Sequence, residues 1–193
     1  LLFFTKKLLL KVGLDIFSAK SVSKGLCETS LRGVDSHGIK LLPHYIESAI
    51  NGRKNPKPNF IFNSVFPSFG VLDADDSFGH AAGEKSIDLA IPIAKKYGVS
   101  IISVKNSSHP GALASFTLKA ARKGYAALAF THADSLMMSY NSKESYFGTN
   151  PISFACPRQG NEEPYCLDMA TTRISWNKLL NAKKNNYKLD GKY

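Results

Sequence analysis

Apolar and polar positions alternate along this chain in runs that predict both helices and strands. Over residues 80–97, Ile87, Ala90, Ile91 and Ala94 recur at helical spacing, and Pro92 is expected to kink that helix. Gly98 follows as its C′ residue, because glycine readily takes the left-handed conformation that ends helices. Residues 99–104 form a short β-branched run and read as a strand buried on both faces. After a polar loop at 105–110, Leu113, Phe116 and Ala120 give residues 111–123 a helical stripe, which Gly124 stops. Residues 125–131 read as the next strand. Helix, strand, helix, strand is the alternation that builds an α/β sheet with parallel neighbours.

The flanks are predicted in the same way. Residues 8–17 and 43–50 read as helices, and 60–62 and 70–73 as short strands. Residues 152–155 and 165–169 read as strands and 173–183 as a helix, with polar loops at 141–148 and 158–164. The prolines and polar residues of 51–59 form a turn-rich connector. It separates an N-terminal helical segment, 1–55, from an α/β segment, 56–193. The tail from 181 dissolves into Lys, Asn and Asp, so the chain is expected to be incomplete at its C-terminus.

Composition narrows the function classes. The chain has 193 residues, 44% of them hydrophobic and 21% charged, which is ordinary for a folded domain and excludes intrinsic disorder. No apolar run approaches the ~18 residues needed to cross a bilayer, so no membrane partner is expected. Three scattered cysteines, Cys27, Cys156 and Cys166, do not make a disulfide framework and fit a reducing, cytoplasmic compartment. The net charge of +10 is spread as +6 over residues 1–60 and +2 over each of 61–130 and 131–193. With no basic block and no interleaved stacking aromatics, it describes a solvated surface rather than a nucleic-acid groove. Such a field also suits a small anionic substrate.

The candidate chemistry lies in loops. Ser107, Ser108, His109, Pro110 and Gly111 follow a strand and precede a helix, at the carboxyl edge where open α/β sheets bind ligands. A histidine there can exchange protons near neutral pH. The alternative is that Ser107 or Ser108 caps the helix and His109 is a solvated loop residue. Arg32, Gly33, Asp35, Ser36, His37 and Gly38 form a second candidate, with helix capping by Asp35 or Ser36 as its alternative. Three polar strand ends are expected to converge on one edge: the His109 loop, residues 131–135 beside it in a parallel sheet, and residues 167–172. No zinc-ligand set, Gly-x-Gly-x-x-Gly fingerprint, Walker loop or Gly-x-Ser-x-Gly elbow occurs.

Taken in order, five motifs resemble the malate/L-lactate dehydrogenase family of NAD(P)-dependent oxidoreductases. They are Leu31–Gly38 (LRGVDSHG), Leu42-Pro43 with Tyr45, Ser107–Gly111, Phe147–Pro151 (FGTNP) and Leu167–Thr171 (LDMAT). The resemblance covers about residues 8–180. It implies a mixed sheet with flanking helices in a non-Rossmann fold. It also implies hydride transfer between NAD or NADP and a small 2-hydroxy or 2-oxo acid, in a homodimer. His37 and His109 match the family's active-site histidines and Ser36 the serine beside the first. Tyr45, Asp134, Thr149 and Asn150 match its substrate cleft. Pro151, Asp168, Met169, Ala170 and Thr171 match its cofactor contacts. Two positions depart: Leu41 stands where the family commonly has an arginine, and Pro110 follows the second histidine. A catalytically inactive remnant that folds or binds a partner without turnover is the rival reading.

Overall fold

The computed structural model describes residues 1–160, 162–172 and 176–188. Helices α1 (Leu2–Lys11) and α2 (Ile16–Leu31) open the chain. The single helix expected over 8–17 is broken in its middle. Gly13 turns to a φ of +99°, and Asp15 caps α2 by accepting the Ser18 N–H at 2.7 Å. α2 escaped the periodicity because its inward face mixes Ala19, Val22 and Leu26 with Ser18, Ser21, Ser23 and Thr29, all buried. The Ser21 hydroxyl is satisfied by donating to the Phe17 carbonyl at 2.9 Å.

Two 3-10 turns, Asp35–His37 and Ile39–Leu41, lead into α3 (Leu42–Ile50), whose second residue is Pro43. Leu9, Leu14, Ala19, Val22, Leu26, Tyr45 and Ala49 then close into one apolar cluster with Phe78. Each large side chain buried there contributes about 1.5–3 kcal/mol. Phe78 ties this helical layer to the next element, α4 (Gly79–Tyr97), which contains Pro92 and ends at Gly98 with φ +83°.

The strands are β1 (Ile61–Phe66), β2 (Phe69–Asp73), β3 (Ile101–Lys105), β4 (Ala127–Phe130), β5 (Met137–Met138), β6 (Ser145–Phe147), β7 (Ile152–Cys156) and β8 (Tyr165–Met169). They form two three-stranded sheets, β1-β2-β3 and β4-β7-β8, and a small β5-β6 ribbon. Among the strands of the described residues, only β2 and β3 pair in parallel, joined by the crossover helix α4. The expected parallel pairing of β3 with β4 does not occur: β4 lies antiparallel to β7, in the other sheet. Nor is β3 buried on both faces. It is an edge strand, with Ile101 59% and Val104 39% exposed, and its β-branched residues report strand propensity rather than burial. The ribbon strand β6 occupies part of the segment expected to be a polar loop.

Helix α5 (Ala114–Ala121) packs Ala114, Leu118 and Ala121 against Ala155 of β7, with Cys166 alongside. It starts three residues later than predicted because Gly111 is held in the loop at φ +72°. Between helix and sheet, Ser153 donates to the Leu167 carbonyl at 2.8 Å and lies 2.8 Å from the Thr117 hydroxyl; both residues are fully buried. Helix α6 (Trp176–Asn185) falls on the last predicted helix, whose residues 173–175 lie outside the described set. Among the described residues, no helix is long and apolar enough to cross a membrane.

Candidate functional site

Ser36 and His37 are set by the end of α2. The Ser30 hydroxyl accepts the Ile39 N–H at 2.9 Å, and Gly38 lies so close to it that a Cβ would collide with Ser30 Oγ. Neither Asp35 nor Ser36 caps a helix; both sit inside the first 3-10 turn. Ser36 Oγ instead lies 2.9 Å from His37 Nδ1.

The His109 loop is held by α4. Ser108 Oγ accepts the Gly79 N–H at 3.0 Å, so this serine caps α4 rather than the helix that follows it. A Cβ on Gly79 would strike the Ser108 carbonyl and the His109 backbone, which is why glycine stands there. His109 Nδ1 accepts the Gly111 N–H at 3.2 Å. In the neutral ring the proton must therefore sit on Nε2.

These two anchors bring the imidazoles of His37 and His109 face to face, with ring centroids 5.5 Å apart and planes 26° from parallel. Both pKa values lie below the ordinary histidine range. Desolvation is the main cause for His109, which falls to about 4, with the charges of His37 and His44 adding to it and Asp134 opposing. Desolvation also lowers His37, and Asp168 pulls in the other direction. Near neutral pH the site presents two uncharged, stacked imidazoles.

The other candidates arrive from the second sheet. Because β4 and β8 both run antiparallel to β7, their carboxyl ends lie at one edge. Asp134, beyond β4, thus comes within electrostatic range of His109, beside the histidine as expected but from a different sheet. Asp168, near the end of β8, accepts the Ala114 N–H at 2.8 Å and supplies the N-terminal acceptor of α5. Burial raises its pKa, while that N–H, His37 and Arg32 lower it. At the same edge, Thr171 donates through its N–H to the Thr149 carbonyl at 3.0 Å. Its hydroxyl contacts the Thr149 and Asn150 carbonyls at 3.1 and 3.0 Å. Asn150 Oδ1 receives the Ala133 N–H at 3.2 Å, and Pro151 leads into β7 between these partners. Met169 is 48% exposed beside this ledge, with Ala170 next to it.

Tyr45 is placed differently. Its ring is 3% exposed within the apolar cluster, its hydroxyl has no hydrogen-bond partner among the described residues, and burial raises its pKa. Leu41 packs against the same cluster, so the position of the missing arginine offers no cation. Of two further residues near the site, Arg32 was named in the sequence without a role and His80 was missed. Arg32 acts on Asp168 electrostatically, and fully buried His80 lies within electrostatic range of both imidazoles. Arg32 was visible in the Leu31–Gly38 motif; nothing in the spacing distinguishes His80. No group of three or more metal-ligating side chains occurs among the described residues.

The sequence model described as malate/L-lactate dehydrogenase matches residues 1–193. The chain is 36% identical over 176 residues to a malate dehydrogenase of Pyrococcus abyssi, covering 91% of this chain and 48% of that protein. It is 33% identical to an NAD(+) ureidoglycolate dehydrogenase of Escherichia coli, with coverages of 92% and 51%. In structure it resembles malate dehydrogenase from Entamoeba histolytica, with TM-score 0.92, 32% identity, and 98% of this chain and 52% of that one covered. Sulfolactate dehydrogenase from Methanocaldococcus jannaschii gives TM-score 0.89 at 31% identity, with coverages of 98% and 54%. The chain spans about half the length of the curated relatives it matches.

Proposed function

This chain belongs to the malate/L-lactate dehydrogenase family, and on that premise we propose that it supplies the proton-transfer half of an NAD(P)-dependent oxidoreductase acting on a small 2-hydroxy or 2-oxo acid. The observation that carries the proposal is the neutral His37–His109 couple at the shared edge of α5 and β8. Alcohol oxidation needs a base for the hydroxyl proton and a donor that holds the oxygen, and two imidazoles at one site can provide both.

In the direction of oxidation, His37 takes the substrate hydroxyl proton at Nε2, with its Nδ1–H donating to Ser36 Oγ. Asp168 favours the imidazolium so formed, because its charge raises the His37 pKa against desolvation. His109, whose proton is fixed on Nε2 by the Gly111 N–H, donates to the developing carbonyl oxygen. In reduction, His37 returns its proton and His109 polarises the carbonyl. Asp134 tempers the loss of basicity at His109. The basic surface favours an anionic acid as substrate.

A nicotinamide group fits the residues at this edge. Met169 offers exposed and Ala170 half-buried apolar surface, and Thr149, Asn150, Pro151 and Thr171 form a hydrogen-bonded backbone ledge beside Asp168. These residues would hold it, and when bound it would supply hydride exchange with the substrate carbinol carbon. The sequence has no glycine-rich phosphate loop, so the fit concerns the nicotinamide end. The whole protein is proposed to act as a homodimer in the cytoplasm.

Fluorescence titration with NADH and NADPH, on this chain and on a full-length protein containing it, tests the reading. Saturable binding followed by turnover of 2-oxo acids is expected of the full-length protein. Binding by neither would overturn the proposal in favour of an inactive remnant.

A further inference from the structure

His80 takes no part in the mechanism above, yet it is 1% exposed and within electrostatic range of the reacting histidines. Neither ring nitrogen has a hydrogen-bond partner among the described residues. Two glycines face its ring and a third precedes it. A Cβ on Gly25 of α2 would collide with His80 Cδ2, and one on Gly111 would collide with His80 Nε2. Gly79, the residue before it, presses on the backbone of Ser108 and His109. The first turn of α4 thus supports the His109 loop at two points, and the imidazole fills the gap between α2 and Gly111. Tyr45 and Phe116 close its remaining sides, at centroid distances of 5.2 and 6.5 Å.

We propose that His80 is a positioning residue: wedged between Gly25 and Gly111, it holds the Gly111 N–H against His109 Nδ1 and so fixes the Nε2-protonated tautomer of His109. A buried ring with two unpartnered nitrogens is poor packing, and an apolar side chain of the same volume would stabilise the core better. The ring sits where a shift would be felt directly by Gly111, and Gly111 is the residue whose N–H dictates the tautomer. Its electrostatic neighbours are His109 and His37, and Tyr45 packs against it; all of these are uncharged near neutral pH, and His80 itself is kept neutral by burial. The catalytic consequence rests on the role proposed for His109, whereas the tautomer does not.

Nitrogen-15 correlation of the imidazole side chains reads the tautomer directly, and the chain has only five histidines to assign. The wild-type chain is expected to show His109 as a single Nε2–H tautomer titrating well below the ordinary histidine range. In His80→Ala, Gly111 loses its support and water reaches the loop. His109 should then become a tautomer mixture, and its pKa should rise toward the ordinary value. His80→Gln, long enough to fill most of the gap, should restore the single tautomer. In the active full-length protein, His80→Ala should lower kcat tenfold or more while KM stays within about twofold. If His80→Ala does not fold, Gly25→Ala replaces it, since that change drives the ring toward Gly111 with His80 still present. Unchanged His109 signals in the folded variant would overturn the proposal. Failure of the wild type to turn over any 2-oxo acid would instead count against the dehydrogenase reading, and the imidazole spectra would still decide the role of His80.

Discussion

Removing the Ser153 hydroxyl isolates one strut between α5 and the sheet that carries Asp168. Ser153 has a single proton, and it goes to the Leu167 carbonyl at 2.8 Å. The Thr117 hydroxyl must therefore donate to Ser153 Oγ, also at 2.8 Å, in preference to the Leu113 carbonyl at 3.5 Å. Ser153→Ala breaks both short bonds and leaves the Thr117 proton with only the long contact, in a site with no solvent access to either residue. Losing such bonds and stranding a buried group costs about 1–3 kcal/mol. For a chain of this size that is a fall in Tm of roughly 3–10 °C. Thr117→Val removes the donor while leaving Ser153 bonded to Leu167, so it should cost less. The double variant should be more stable than the sum of the two by ~0.5 kcal/mol or more, because the hydroxyl stranded by the first change is deleted by the second. Urea unfolding of the wild type and the three variants measures the cycle. Strict additivity, or a Ser153→Ala loss below ~0.5 kcal/mol, would show that the two hydroxyls do not form a strut.

Three other expectations follow from the site. His109→Asn should abolish dehydrogenase turnover in the full-length protein while NADH binding and circular dichroism stay unchanged; retained turnover would remove His109 from the mechanism. Asp168→Asn removes the charge that raises the His37 pKa, so the acid limb of the kcat/KM profile for oxidation should move to lower pH as kcat falls; an upward move would contradict the assignment. His80 has its pKa lowered to about 3, so between about 6.5 and 3 the unfolded chain binds a proton that the folded chain refuses. Stability should therefore fall as the pH is lowered through that window, and His80→Gln should flatten the slope; an equal slope in the variant would refute it.

Much of this fold was legible because its signals are local. β3 and the end of α4 at Gly98 follow from a β-branched run and a glycine stop. α2 was not legible, because small serines and a threonine occupy its buried face, where Ser21 and Ser23 donate to nearby backbone carbonyls. Strand pairing was misjudged because a βαβ reading joins consecutive strands, whereas β3 and β4 belong to separate sheets. Ser36, His37, His109, Asp134 and Asp168 were all singled out in the sequence, and the fold brings them near one another. His80 stayed hidden since its role depends on two glycines distant in sequence, Gly25 and Gly111, which meet it only in three dimensions.

The stacking of His37 on His109 also limits how many protons the site can hold. With centroids 5.5 Å apart, two imidazolium charges repel by about 1–3 kcal/mol for effective dielectric constants between 80 and 20. Once one ring is protonated, the other is roughly 5- to 150-fold harder to protonate. The couple therefore works as a one-proton store that is either empty or full. An empty store is ready for a hydroxyl, and a full one for a carbonyl. In the proposed reaction, the direction of net turnover then follows the supply of substrate and cofactor rather than any bias built into the rings.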